Sequence, residues 1–453
     1  MDFLRPNSKL DPQMHYKSLE LWSLIFLLAV GHLSAINLAR AGDWPGWRGP
    51  SRNGIVAEES GWDGTRWLNS KSDWTAQVGD GASSPIVFGG KVYTLGHQDG
   101  QNLVSCLSSE TGQIHWRQIY KTPPYGRNAM GDEGIYSGPS STPEFDPDTR
   151  LLYTLSADGD LHAWDSNSQG KEVWRRNLYD DYQMPQRAKV GRSGRRDYGY
   201  TSAPLVYREW LLVEVGGPTG TIVAFDKRTG QEAWKSEANS VAGHTGAMAF
   251  INVENVPCVA CMNFDGLLVT RLDEPHAGKT VATYPWITDF ANNIAGPAVR
   301  DGHVLITSEY NHRSMCKLKI TLQGAIKVWE SPVSSKACTP VIHDGKVYLA
   351  WSNVRSVDWE SGIVDWEGPR IGDAGSCIIT RDQKLIVWGD QGTLLLADIS
   401  ANHRDRYVEL ARLENLAAND VWPHHAVAQQ RLFCRDRKGT LICFSLKPSS
   451  RQP

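Results

Sequence analysis

The chain has 453 residues, with 47 lysines and arginines against 50 aspartates and glutamates, a net charge of −3. That near balance excludes a broad nucleic-acid or anionic-membrane footprint, which needs a surplus of positive charge on one face. Hydrophobic residues make up 41% and charged residues 21%, the proportions of a globular protein, but the 18 tryptophans call for a structural reason.

In chain order, residues 21–39, LWSLIFLLAVGHLSAINLA, carry no formal charge, and Ala39-Arg40-Ala41 has the small-x-small form of a signal cleavage site. Residues 1–41 therefore read as an export signal, with Met14 as an alternative start that gives a more usual leader. The other reading is an uncleaved anchor, because 19 uncharged residues just span a bilayer. Residues 42–71 follow as an irregular lead-in. Its opening, GDWPGWRGPSRNG, has neither strand alternation nor helical period. Pro45 and Pro50 stiffen its path, while Gly46, Gly49 and Gly54 permit tight turns.

From residue 72 to 446 the sequence repeats. SSPIVFGGKVYTLGHQDGQNLVSCLSSETGQIHW (83–116), SSTPEFDPDTRLLYTLSADGDLHAWDSNSQGKEVW (140–174) and TSAPLVYREWLLVEVGGPTGTIVAFDKRTGQEAW (201–234) share one plan. Each has a small residue, a proline, an apolar strand, two further strands across Gly/Asp turns, and a last strand ending in tryptophan. Weaker restarts at 244, 295, 338, 375 and 424 bring the starts to eight, at gaps of roughly 37 to 61 residues that suit four-stranded propeller blades. The eighth unit stops without its tryptophan strand, and SDWTAQVG (72–79) supplies the missing one from the N-terminal side, closing the ring. The fold class expected is all-β, an eight-bladed β-propeller, with a short tail at 447–453. Trp74, Trp116, Trp174, Trp234, Trp329 and Trp366 end outer strands, where a flat ring fills the wedge between blades.

CLSSETGQIHW, AWDSNSQGKEVW, AFDKRTGQEAW and VDWESGIVDW resemble the A-x-D-x-x-T-G-x-x-x-W repeat of pyrroloquinoline-quinone (PQQ) type propellers, over roughly residues 43–446. That family includes quinoprotein alcohol dehydrogenases and the non-enzymatic scaffold lipoprotein of the outer-membrane β-barrel assembly machinery. The lead-in resembles the Trp-Pro-x-x-Arg-Gly-Pro opening of exported propellers of this type. Trp44 and Trp47 are expected to pack on blade edges and Arg48 to bond loop carbonyls.

The eight cysteines are too sparse for a disulfide-stapled fold; none are adjacent and none form a Cys-x-x-Cys-His haem module. Cys258 and Cys261 fall on one strand at i and i+3, so their sulfurs should face opposite ways. Residues just before each innermost strand converge on the axis at one face. By repeat alignment these are Ser83, Tyr136, Tyr200, His244, Asn293, Lys336, Asp373 and His424, a polar and aromatic set for a ligand at the channel mouth. Of the neighbours His424 and His425, His424 is expected to face the axis, and no metal site is assigned. Two long loops, 121–136 and 180–199, extend the rim. Arg187, Lys189, Arg192, Arg195 and Arg196 in the second suit carboxylate, phosphate or sulfate.

Two functions are compatible with this pattern. One is a monomeric, exported binding or scaffold propeller for a protein or glycan, without catalysis and without nucleic-acid contact. The other, implied by the resemblance, is an oxidoreductase with PQQ and calcium on the axis, Asp373 or Glu133 as base, and arginines such as Arg127 or Arg192 holding the quinone. No carboxylate pair for a glycan hydrolase can be placed.

Overall fold

The Asp-x-x-Thr-Gly turns build the blades. Asp226 Oδ1 accepts from the backbone N–H groups of Arg228 and Thr229 and from the Thr229 hydroxyl, closing a tight loop in which Gly230 takes φ 69°. Asp165 and Asp358 cap the equivalent turns in the same way. These acids serve backbone geometry rather than ligand binding.

A computed structural model describes residues 42–130, 136–188, 197–289 and 292–447 of the chain. They form eight antiparallel sheets arranged as blades. The innermost strands are Ile86–Phe88, Glu144–Phe145, Leu205–Tyr207, Ala249–Val253, Ala298–Arg300, Val341–His343, Gly375–Ile379 and Ala426–Ala428. Seven blades have four strands; in blade six the second and third merge into Lys346–Asp358, kinked at Ser352, where φ is 56°. The last blade is completed by Trp74–Gln77, which pairs with the C-terminal strand in the register Trp74↔Cys443 to Gln77↔Thr440. Arg435 seals this seam. Its fully buried guanidinium donates to the carbonyls of Ser83 (2.5 Å), Leu95 (3.0 Å) and Gly79 (2.8 Å) and to Thr94 Oγ1 (2.7 Å). Burial pushes its pKa down to about 10.

The outer-strand tryptophans set the blade-to-blade distance. A Cβ added to Gly112, Gly170, Gly230 or Gly362 would stand 2.6–2.7 Å from the indole of Trp74, Trp116, Trp174 or Trp329 respectively, on the preceding blade. Each glycine is therefore required twice, for its positive φ and for the ring lying on its Cα. Trp74, Trp174 and Trp329 also donate Nε1–H to the next blade's carbonyls of Ser109, Lys227 and Trp359 at 3.0–3.2 Å. In several blades the ladder shifts register just beyond the tryptophan pair, as between Cys106 and Leu107 or Ala163 and Trp164. Such a bulge sharpens the twist of the outer edge. The core therefore lies between blades. Cys258 packs with Val304 and Cys316 of blade five, whereas Cys261 packs with Leu212 and Ala224 of blade three. The two sulfurs do face opposite ways.

The lead-in crosses the far ends of the innermost strands. Trp44 exchanges backbone hydrogen bonds with Val87 (2.7 and 2.8 Å), Pro45 O accepts from Phe145 N, and Ile379 exchanges with Gly54 and Val56. Arg52 and the buried Glu144 form a two-pronged ion pair. Arg48, also buried, donates to Pro340 O at 2.6 Å and Asn53 O at 3.0 Å. Blades one, two, six and seven are thus tied to one thirteen-residue stretch, GDWPGWRGPSRNG, and the strand that follows it.

Trp174→Ala should destabilise the protein by about 3–5 kcal/mol, the usual cost of emptying a buried aromatic site. The midpoint of denaturant unfolding measures this. Ile326→Ala, on an exposed outer strand, should leave that midpoint unchanged within error.

Candidate functional site: the axial cavity

Proline punctuates the blade entries. Ser84-Pro85, Thr142-Pro143, Ala203-Pro204, Gly296-Pro297, Thr339-Pro340 and Trp422-Pro423 each hold the preceding residue extended as the chain turns toward the axis. The segments just before them ring a cavity of about 340 Å3. Trp47 of the lead-in reaches it from the opposite end and stacks on His424, ring centroids 4.3 Å apart. The hole through the propeller is therefore floored by the lead-in.

Four of the eight residues predicted at the channel mouth line this cavity: Tyr136, His244, Lys336 and His424. The other four do not. Ser83 is buried, and its carbonyl is held by Arg435. Tyr200 is buried against Tyr179 and donates to Val215 O. Asn293 is buried and donates to the carbonyls of Asn263 and Trp286. Asp373 is exposed away from the cavity. For Ser83, Tyr200 and Asn293 the alignment is right within a residue, since Ala82, Thr201, Asn292 and Ile294 line the cavity, but that error turns the side chain from the axis into the fold; around Asp373 no neighbour reaches the cavity.

The sequence missed the rim. Tyr310 and Arg437 come from turns between second and third strands, and Trp422 precedes its proline by one position. In an antiparallel blade those turns lie at the same end as the entries, so connectivity alone could have found them. Lys336 Nζ sits 5.4–5.9 Å from the ring centroids of Tyr310, Trp351 and Trp422. The Arg437 guanidinium lies over Tyr136 at 4.1 Å and Trp422 at 4.8 Å. Trp422 thus stands between two cations.

Of the basic residues of the long loop, only Arg187 falls among the described residues, and its charge is already taken. Arg187 is buried and ion-paired with Asp197 at 2.6 Å, and its guanidinium also donates to Ala242 O. Lys189, Arg192, Arg195 and Arg196 lie outside the described residues, as does Glu133. Arg127, proposed for the quinone, is instead bound to Asp158 and Asp180 in a separate polar cleft. Asp197 is the only carboxylate lining the axial cavity among the described residues. Burial disfavours its charge, but Arg187 overrides burial and holds the carboxyl well below its ordinary range. His244 is fixed by its partners. Nε2 accepts from Tyr198 N–H at 3.1 Å, so Nδ1 carries the proton toward Asn292 Oδ1 at 3.1 Å. Burial, reinforced by Arg187, pushes its pKa down, and burial likewise pushes His424 to about 3. Both are neutral imidazoles at pH 7.

Among the described residues no three His, Cys, Asp or Glu side chains converge to hold a metal, and Asp373 and Arg127 are both remote from the axis. Asp197, paired and strongly acidic, is unsuited to take a hydroxyl proton.

Behind the His244 segment lies Glu214, fully buried. Its Oε1 accepts from Gly243 N at 2.8 Å and its Oε2 has no hydrogen-bond partner. Burial pushes its pKa up to about 7, from an ordinary value of 4.5. A raised carboxyl contributes stability below pH 4.5 that is lost as pH rises toward 7. Thermal midpoints should fall across that window, and Glu214→Gln should flatten the fall.

Comparison with known proteins agrees with this architecture. The family described as outer membrane protein assembly factor BamB matches residues 62–176 and 100–368. No curated protein matches the chain. Among solved structures, BamB from Moraxella catarrhalis is 14% identical, covering 83% of this chain and 99% of its own, with a TM-score of 0.55. A quinohemoprotein alcohol dehydrogenase from Comamonas testosteroni is 13% identical, covering 92% and 82%, with a TM-score of 0.60. The computationally designed Ika8 protein is 13% identical, covering 83% and 99%, at 0.56. Identities this low carry the fold alone. With the repeat, the closed eight-blade ring and the family match in agreement, the chain belongs to the PQQ-repeat β-propeller family described as outer membrane protein assembly factor BamB.

Proposed function

We propose that this chain is an exported binding propeller without catalysis of its own, and that its axial cavity receives a carboxylate-bearing group of a protein or glycan partner. One observation carries the reading. Lys336 and Arg437 face an aromatic-lined hole whose single carboxylate among the described residues is already taken by Arg187. Among the described residues no carboxylate lies within ion-pair distance of Lys336; aromatic faces are its neighbours. An entering anion would meet Lys336 at reduced dielectric and would lie against Trp47 and Trp422, surfaces suited to a sugar ring or an aliphatic stem. The neutral histidines add hydrogen-bonding groups without adding charge.

Export is supported by the residue 21–39 pattern and by family membership. Likeness to an assembly-factor family favours a protein as the macromolecule that presents the acid. Among the described residues no helix is long and apolar enough to cross a membrane.

Titration of intrinsic tryptophan fluorescence with a uronic-acid oligosaccharide, and with a peptide ending in a free carboxylate, tests the site. At least one should bind, and its reduced-alcohol or amidated counterpart should not. Lys336→Ala and Arg437→Ala should each weaken binding by about 10- to 100-fold, the worth of a charge-assisted contact. Binding indifferent to both substitutions would reject the site. A stoichiometric bound quinone with dye-linked alcohol oxidation would overturn the absence of catalysis.

A further inference from the structure

Cys338 lies just before the innermost strand of blade six and Cys377 at the middle of that of blade seven, and their sulfurs lie 4.0 Å apart. Both residues are buried, at 0% and 5% exposure. All eight cysteines are free thiols, and no other two make a sulfur–sulfur contact of this kind. Most of the others are fillers between blades: Cys106, Cys258, Cys261 and Cys316 each sit in an apolar cluster. Cys338 and Cys377 share one cluster, flanked by Arg48 and His424 of the cavity floor.

We propose that Cys338 and Cys377 are a disulfide-forming pair that cross-links blades six and seven immediately beneath the axial cavity. The oxidant is a disulfide, whether a small molecule or a disulfide-exchange protein. The Cys338 thiolate attacks one sulfur of the oxidant, forming a mixed disulfide and releasing one thiolate. Cys377 then passes its proton to that thiolate and attacks the Cys338 sulfur. The intramolecular S–S bond forms, the mixed S–S bond breaks, and the second thiolate leaves. Two protein thiols are oxidised, and one disulfide is reduced to two thiols.

The surroundings favour this order. Cys338 Sγ accepts from Ala350 N–H at 3.4 Å and lies opposite Cys377, with Arg48 close by. Each sulfur has a carbonyl at 3.7 Å, Thr339 O for Cys338 and Tyr348 O for Cys377, but of the two it is Cys338 that also accepts an N–H, from Ala350, and this donor favours its thiolate. Closing 4.0 Å to a bond of about 2.05 Å needs rotation of the two side chains about their Cα–Cβ bonds. Burial excludes a bulky oxidant from the folded ring, so the bond forms as blades six and seven dock or when they open locally.

The full chain, unfolded, reduced and refolded with oxidised glutathione, tests the proposal. After denaturation and alkylation, two of the eight thiols should be protected, and non-reducing digestion should yield a peptide linking Cys338 to Cys377. The oxidised protein should melt a few degrees above the reduced protein, the direction expected of a closed loop. Cys377→Ala should abolish both the link and the reductant-sensitive melting, while Cys443→Ala should keep both. Eight free thiols in the refolded wild-type chain, or protection at a different pair such as Cys434 and Cys443, would overturn it. The wild-type thiol count stands whether or not the variants fold.

Discussion

The fold depends on an indole lying flat on a glycine. Four times around the ring, an outer-strand tryptophan rests on the Cα of a turn glycine in the next blade, at a distance that excludes even a methyl group. The contact fixes the outer spacing of the blades, and a ring closed at its circumference has a determined radius at its axis. That radius sets the width of the hole and the separation of the residues lining it. The cavity is thus defined by packing at the rim of the molecule, far from any side chain that lines it.

Buried cations are a second theme. Arg48 and Arg435 are both interior, and the oxygens they donate to are carbonyls and a hydroxyl rather than carboxylates. A guanidinium offers five donors in a fixed plane, which suits places where several chain segments present carbonyls at once. In a propeller those places are where segments far apart in sequence meet: the seam at Arg435, and the crossing of the lead-in at Arg48. Arg187 follows the opposite rule. It has a carboxylate, Asp197, and that pair stiffens the cavity wall while removing its own charge from the cavity's electrostatics.

The sequence reveals the ring far better than the cavity, and the reason is periodicity. Trp174, Gly230 and the Asp226 turn recur, so each copy vouches for the others, and the closing strand at Trp74 is recognised by what the eighth unit lacks. Tyr136, His244, Lys336 and His424 are legible because they sit at repeat entries. Asn293 sits there too, yet its neighbours Asn292 and Ile294 reach the cavity while it turns inward, and at Asp373 the entry stays outside the cavity altogether. Tyr310 and Arg437 lie in turns that vary from blade to blade, so nothing in the repeat singles them out. The Arg187–Asp197 pair is hidden for another reason. Five basic residues in ten positions suggest solvent, and a tertiary contact between two residues of one loop leaves no trace in composition.

The closing strand also imposes an order of events on the chain. Gln77 meets Thr440 across 363 positions of sequence, so the strand Trp74–Gln77 is unpaired until its partner in the final blade has been made. The same holds for the tryptophan that floors the cavity, since its partner His424 lies in the final blade. Contacts this distant in sequence form slowly, and an edge left waiting is open to other strands. A nascent or truncated chain therefore carries both an exposed edge and an unfloored channel, and its binding site is complete only when the whole ring is. Recognition at the axis thus reports that the ring has closed.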